Sequence, residues 1–339
     1  MSKRALRMMQ YYEAFLRGST RLRLAVIFGA ALAMGGPGLA APAVSVCVLV
    51  PHFKDEYWLS VGYGLEQEAR LRDATLWIQE AGGYQARESQ IRQVDACVEA
   101  GVDAIVIGAV TSDHPDLLAA IVRAAEKVPV FALVNVLHSP VLSGSVGVDW
   151  ADMGRAVGNY LAARDPAGGP LKTAVLISGP RESGWTAPLE AGLRDALVNS
   201  STRIIAVYGA DTGLDAQLAL VETALSRHPD VDYIIGSAPT IEAAMGHLRA
   251  HPDANRTPRL IATYLAHTVK RGLVGGSVLF APFDDPQEQG RMALRQVLTF
   301  LQDHRRVGKR GPKILPLTPG DSALQNVHLS PADYFPKIE

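Results

Sequence analysis

Aromatic residues are scarce in this chain, 6% of its 339 positions, and cysteine is scarcer, with two. Two cysteines exclude a disulfide-built scaffold and a cysteine-rich metal module. An excess of charge of one sign is also lacking. With 33 Lys and Arg against 34 Asp and Glu, the net charge of -1 offers no basic field for nucleic acid. Catalytic signatures are absent as well. No Gly-x-Ser-x-Gly elbow occurs, and Gly62-Tyr63-Gly64 lacks the third glycine of a dinucleotide fingerprint and falls inside a helical pattern. His247 and His251 share an i, i+4 face without the glutamate of the zinc-protease pattern, so they read as surface histidines. With no nucleophile–base pair in view, the chain reads as a non-enzyme that needs neither metal nor cofactor.

What is present is a globular composition, 48% hydrophobic and 20% charged, at a length that favours two domains. The N-terminus reads as an export signal. Arg21 and Arg23 precede the apolar run Leu24 to Met34, Gly35-Gly36-Pro37-Gly38 breaks it, and Gly38-Leu39-Ala40 supplies small residues for cleavage after Ala40. That apolar core is about 11 residues, short of the roughly 20 a spanning helix needs. Residues 1–41 are therefore set apart as signal peptide and extension, and a soluble periplasmic protein is expected.

From residue 44 strands and helices alternate. Apolar runs at 44–50, 75–80, 104–108 and 129–134 are separated by helical patterns at 58–72, 86–100 and 115–127. Pro115 fits the first turn of the third helix, with Asp113 as its cap. After the segment Leu137 to Gly144 a second series begins, with strands at 172–178, 203–208, 232–236, 260–264 and 277–281 and a last long helix from Asp285 to Asp303. Continuous Val/Ile/Leu strands alternating with helices mean parallel sheets covered on both faces. The expected fold is α/β, two doubly wound parallel-sheet lobes joined by a hinge. Residues 42–140 and 283–306 form the N-terminal lobe, and 141–282 and 307–339 the C-terminal lobe. Ligands of such folds dock at the carboxyl ends of the strands, here in the cleft between lobes.

The large aromatics fall on that side. Tyr57 and Trp58 follow the first strand in Lys54-Asp55-Glu56-Tyr57-Trp58-Leu59-Ser60, and Tyr84 follows the second. Trp150 opens the second lobe, and Tyr264 ends one of its strands. Ring faces attract a desolvated cation by about 0.5–2 kcal/mol each, and Asp55 adds a negative charge or a hydrogen-bond acceptor. Trp77 reads as core, and Trp185 as either a cleft wall or a helix cap. Cys47 and Cys97, in an oxidising compartment, are either a disulfide or two buried thiols.

Five stretches, Lys54–Ser60, Glu80–Tyr84, Val146–Gly154, Glu242–Gly246 and Tyr264–His267, resemble the TorT family of type I periplasmic binding proteins, over about residues 44 to 300. That family senses trimethylamine N-oxide together with the sensor kinase TorS. The resemblance implies a ligand set of Asp55, Tyr57, Trp58, Tyr84, Trp150 and Tyr264. It also implies a Cys47–Cys97 bridge, and a membrane histidine kinase as partner in inducing a reductase system. Hydrogen-bond donors for the N-oxide oxygen are expected from Tyr57, Tyr84, Tyr264 or Trp150. The chain departs from the family in its longer N-terminus and in the hinge segment Ala281-Pro282-Phe283-Asp284-Asp285-Pro286. The competing reading is a solute-binding protein that delivers a sugar or small amine to an ABC transporter.

Overall fold

The computed structural model describes residues 43–252 and 257–338; the expected signal segment and its cleavage site lie outside the described residues. The first sheet holds β1 (Ser45–Val50), β2 (Thr75–Glu80), β3 (Ala104–Ile107), β4 (Val130–Leu133) and β5 (Gly144–Val146), all parallel, in the order β2-β1-β3-β4-β5. Around it lie α1 (Glu56–Arg72), α2 (Arg87–Glu99) and α3 (Pro115–Ala125). The second series runs α4 (Trp150–Arg164), β6 (Lys172–Ser178), α5 (Thr186–Leu197), β7 (Thr202–Gly209), α6 (Leu214–Arg227) and β8 (Tyr233–Gly236). It continues through α7 (Ala238–Ala250), β9 (Arg259–Ala262), α8 (His267–Val274) and β10 (Val278–Phe283). The chain then returns through α9 (Pro286–Asp303), which packs on α1, β4 and β5 of the first lobe. β11 (Leu315–Leu317) adds an antiparallel edge to β10, completing the order β11-β10-β9-β8-β6-β7.

Burial explains why these segments became strands. Val46 to Val50, Ala104 to Ile107 and Ala174 to Ile177 are almost wholly inaccessible, as expected when helices cover both faces of a sheet. Local signals set the helix ends. Asp55 caps α1 by accepting from the Tyr57 N–H at 3.0 Å, and α1 stops at Asp73 in the left-handed region, φ 53°. α3 begins with Pro115 as expected, but its cap is His114, which accepts from the Asp116 N–H at 3.3 Å, and not Asp113. Cys47 on β1 and Cys97 on α2 are joined by a disulfide, Cα to Cα 6.0 Å. Trp77 is half-buried rather than deep core, because β2 is the edge strand.

Two features differ from the sequence expectation. β5 carries no apolar run, yet it pairs with β4, so the chain leaves the first sheet after Val146 and not at Pro140. Of residues 307–339, expected in the second lobe, β11 does join that sheet, but the tail beyond it returns to the first lobe. The Tyr334 ring meets Tyr63, Phe335 meets Phe53, and Ile338 bridges to Ile78 on β2.

Candidate functional site

The carboxyl ends of the strands in both sheets converge on one small enclosure. β1 and its loop deliver Asp55, Tyr57 and Trp58 at the start of α1, and the turn after β2 delivers Tyr84. From the other lobe come Trp150, the first residue of α4, Trp185 just before α5, and Tyr264 beyond β9. The structure therefore brings all six sequence-derived candidates together, and adds Trp185. Its position resolves the alternatives left for that residue: Trp185 sits at the N-cap of α5 without capping by its side chain, and its ring joins the enclosure.

The Tyr264 ring meets its neighbours edge to face, and the two indoles of the second lobe are tilted against each other. Tyr57 meets Tyr264 with centroids 5.2 Å apart, Trp185 meets Tyr264 at 6.0 Å, and Trp150 meets Trp185 at 5.4 Å. Two glycines make room for the indoles. A Cβ at Gly108, beyond β3, would lie 2.3 Å from the Trp58 ring, and one at Gly179, beyond β6, would lie 2.3 Å from Trp185. Each lobe thus uses a strand-end glycine to seat a tryptophan. The enclosed cavity is about 10 Å³, at the threshold for a single water. Two wider grooves, of about 1170 and 810 Å³, lie outside this enclosure and are lined by none of the six candidates.

Polar groups tie the aromatic walls to the frame. Tyr264 donates its hydroxyl hydrogen to Asp55 Oδ2 across the cleft. Tyr57 donates to Asp284 Oδ2 at 2.6 Å, and Gln289 Nε2 donates to both the Tyr57 hydroxyl at 3.0 Å and Asp284 Oδ2 at 2.8 Å. Trp150 Nε1 donates to the Val134 carbonyl at 3.1 Å. Three of the four expected oxygen donors are therefore engaged by the protein itself. The Tyr84 oxygen accepts from Asn135 Nδ2 at 3.3 Å, and its own hydrogen has no acceptor among the described residues. Trp185 Nε1 is buried without a well-aligned hydrogen bond among those residues, and the Trp58 and Trp185 indoles lie close enough to the Tyr84 hydroxyl to oppose the rise that burial imposes on it. Tyr84 and Trp185 are thus the donor-bearing side chains of the enclosure wall with the weakest ties to the frame.

Electrostatics follow from burial. Desolvation pushes the Asp55 carboxyl up to about 6, although the bonds from Tyr264 and the Tyr57 N–H pull it down. Asp284 is likewise pushed up to about 6 by burial, against bonds from Tyr57 and Gln289. Burial also raises the Tyr57, Tyr84 and Tyr264 hydroxyls, so all three keep their protons near neutral pH. Asp284, Gln289 and Asn135 escaped the sequence reading. Asp284 stood in the hinge segment noted for its prolines, but nothing in the sequence tied it to Tyr57.

The hinge beside the site carries strain. Val134 has φ 64°, and the Asn135 N–H donates to the Leu133 carbonyl at 2.7 Å, closing a γ-turn around a β-branched residue. This turn aims the Val134 carbonyl at Trp150 and the Asn135 amide at Tyr84. Outside the cage the lobes are latched further. His52 Nε2 lies 3.2 Å from Asp211 Oδ1 and 3.0 Å from Thr212 Oγ1, and Glu56 accepts from the Thr268 N–H at 3.0 Å. Burial raises the Asp211 carboxyl, but His52, the Tyr84 N–H and Lys54 outweigh it and hold it below the usual range.

Two hinged α/β lobes closing on a shared pocket define a ligand-binding protein. The chain belongs to the periplasmic binding protein family: residues 46–305 match the periplasmic binding protein domain. Membership places it in the periplasm. It is similar to periplasmic protein TorT of Escherichia coli K12, 35% identical over 303 residues, 88% of this chain and 86% of that one. The complex of the TorS sensor domain with TorT, solved in the presence of TMAO, contains a chain 37% identical to this one. That match covers 87% of this chain and all of the other, with a TM-score of 0.76. An ABC transporter solute-binding protein from Bradyrhizobium sp. BTAi1 with bound bis-tris is 34% identical, covering 88% of this chain and 90% of that one, TM-score 0.72. These relatives are a periplasmic protein found in complex with a sensor domain and a solute-binding protein.

Proposed function

We propose that this protein binds trimethylamine N-oxide in the interlobe cage and, when closed, engages the periplasmic sensor domain of a TorS-like membrane histidine kinase to induce a reductase system. It acts without catalysing a reaction. The observation that supports this most is the composition of the enclosure: three aromatic rings from each lobe, one buried carboxylate among them, and two donor-bearing side chains, Tyr84 and Trp185, only weakly tied to the frame. A methylated, cationic nitrogen suits the ring faces and Asp55. The N-oxide oxygen, a strong acceptor, suits the two donors. A sugar needs several polar partners around its hydroxyls, and few are left here. Similarity to TorT, which forms a complex with the TorS sensor domain, supports the partner.

A second reading has one observation in its favour, the bis-tris-bound transporter relative. On that reading the cage receives a hydroxylated amine or sugar for an ABC permease. Calorimetry with trimethylamine N-oxide, betaine, choline, ribose and bis-tris separates the two. Binding of the N-oxide with silence from ribose is expected, and sub-millimolar binding of ribose or bis-tris with no response to the N-oxide would sink the proposal. Trp150→Ala is expected to weaken N-oxide binding at least about tenfold, ~1.4 kcal/mol, through loss of a cage wall. Unchanged affinity in a folded variant would remove the cage from the argument.

A further inference from the structure

The chain as a whole is nearly neutral, yet one segment is not. Between His304 and Gly320 stand Arg305, Arg306, Lys309, Arg310 and Lys313, with no Asp or Glu among them. All five are exposed. None has a carboxylate within ion-pair distance among the described residues; Arg306 alone is engaged, donating to the Pro140 carbonyl at 3.0 Å. A concentration of unpaired cations on a near-neutral protein is costly by self-repulsion and is relieved by an acidic partner.

This strip is also the third crossing between lobes. Its first part runs beside β5, with the Val307 N–H donating to the Ser143 carbonyl and the Arg310 N–H to the Ser145 carbonyl, each at 3.0 Å. Its second part becomes β11 and pairs with β10 of the other sheet. Lys309, Arg310 and Lys313 line one wall of the groove of about 1170 Å³, and α4 forms the opposite wall. The floor is apolar, with the Tyr160 and Phe280 rings stacked at 4.7 Å beside Ile314. Asp149 and Asp152 also face the groove, but Asp149 caps α4 and Asp152 is paired with Arg155.

We propose that this basic hinge groove is the docking surface for an acidic, apolar-tipped segment of the periplasmic sensor domain. The inference rests on the sensor-partner reading above. Because the strip is held to β5 of one lobe at its start and becomes β11 on β10 of the other at its end, it shifts against α4 when the lobes turn, so a segment seated there reads closure directly. Cations at the rim steer the encounter, and the apolar floor holds the register.

The test compares the full mature protein with its Lys309→Glu/Arg310→Glu/Lys313→Glu variant in binding to the periplasmic domain of the cognate histidine kinase, at 50 and 150 mM salt. Calorimetry with trimethylamine N-oxide runs in parallel, and vesicles with and without anionic phosphatidylglycerol serve as a third probe. The expected result is at least a tenfold loss of sensor-domain affinity at low salt and a flatter salt dependence, with N-oxide binding unchanged. Milder Lys→Gln and Arg→Gln changes at the same positions give a smaller loss of the same sign. Wild-type-like sensor binding by the folded variant overturns the groove as the docking site while leaving the partner reading intact. Loss of anionic-vesicle binding alone overturns it in favour of a membrane. A wild-type protein that ignores the sensor domain at both salts overturns the partner reading itself.

Discussion

Gly179→Ala tests whether the cage depends on room made in the frame behind it. A Cβ built at Gly179 lies 2.3 Å from Trp185 Cζ2 and 3.1 Å from Cε2, where carbon atoms in contact sit about 3.5–4.0 Å apart. The indole must therefore retreat by roughly 1.5 Å. Gly179 does not have positive φ, so alanine brings no backbone strain of its own. The cost is overpacking, about 1–3 kcal/mol, and at the middle of that range a fall in melting temperature of about 4–8 °C. A ring displaced into a cavity of only about 10 Å³ also obstructs the ligand and misaims Trp185 Nε1. Calorimetry should show trimethylamine N-oxide binding weakened at least about tenfold, ~1.4 kcal/mol. Trp185→Phe removes the indole atoms that the added methyl meets. In a double-mutant cycle it should recover most of the stability lost by Gly179→Ala, with a coupling of about 1 kcal/mol or more. An alanine variant that melts and binds like the wild type, or strictly additive effects in the cycle, would refute the reasoning.

Asp55 and Asp284 are both raised to about 6. The folded state thus holds protons that the unfolded chain has released, and the stability this gives is present below about pH 4 and lost as pH rises through about 6. N-oxide binding has the opposite sign, because the ligand's cationic nitrogen favours ionised Asp55: affinity should fall about tenfold between pH 7.5 and 5, and Asp55→Asn should flatten the profile in calorimetry. The disulfide spans a separation of 50 residues. By loop entropy, Cys47→Ala/Cys97→Ala should lower unfolding free energy by about 4 kcal/mol, read by urea titration, and no change there would discard the entropic account. Asp211→Asn loosens the latch to His52 without touching the indole walls. It should weaken N-oxide binding severalfold and enlarge the ligand-free protein in small-angle scattering, with the ligand-bound size unchanged; equal sizes without ligand would refute the latch.

How much of this was legible depended on whether the determining contacts were local. Strands such as Val46–Val50 and Ala174–Ile177 announced themselves because burial on both faces demands an unbroken apolar run. β5 did not, since Gly144-Ser145-Val146 has too few residues for a pattern and owes its pairing to β4 on one side and the 307–310 crossing on the other. Tyr57, Trp58, Tyr84, Trp150 and Tyr264 were visible as strand-end aromatics in a chain poor in them. Trp185 stayed ambiguous because its inward turn depends on the space at Gly179 and on a loop pinned by Ser183 and Thr186 to the Pro180 carbonyl. Asp284 and Gln289 were hidden for a different reason. Their partner Tyr57 lies more than two hundred positions away, and a polar residue satisfied by tertiary contact leaves no period in the sequence.

The carboxylates also explain how the cage can be both closed and receptive. Asp55 accepts the Tyr264 hydroxyl hydrogen and Asp284 that of Tyr57, so at Asp55, the carboxylate in the cage wall, a phenol hydrogen stands where a cation could act. The latches at His52 and Glu56 stabilise the same closed arrangement from outside the cage. A ligand therefore need not create closure. It must favour it, and moving a two-state equilibrium from 1:99 to 99:1 takes about 5.5 kcal/mol of differential affinity. Six rings at roughly 0.5–2 kcal/mol each supply about 3–12 kcal/mol before desolvation is subtracted. Half the rings supply half of that, and only the closed protein presents both halves to one nitrogen. On the proposed function, the differential affinity would reside in the division of the six rings between lobes, Tyr57, Trp58 and Tyr84 on one side and Trp150, Trp185 and Tyr264 on the other. The same six rings gathered on a single lobe would bind the ligand and move nothing.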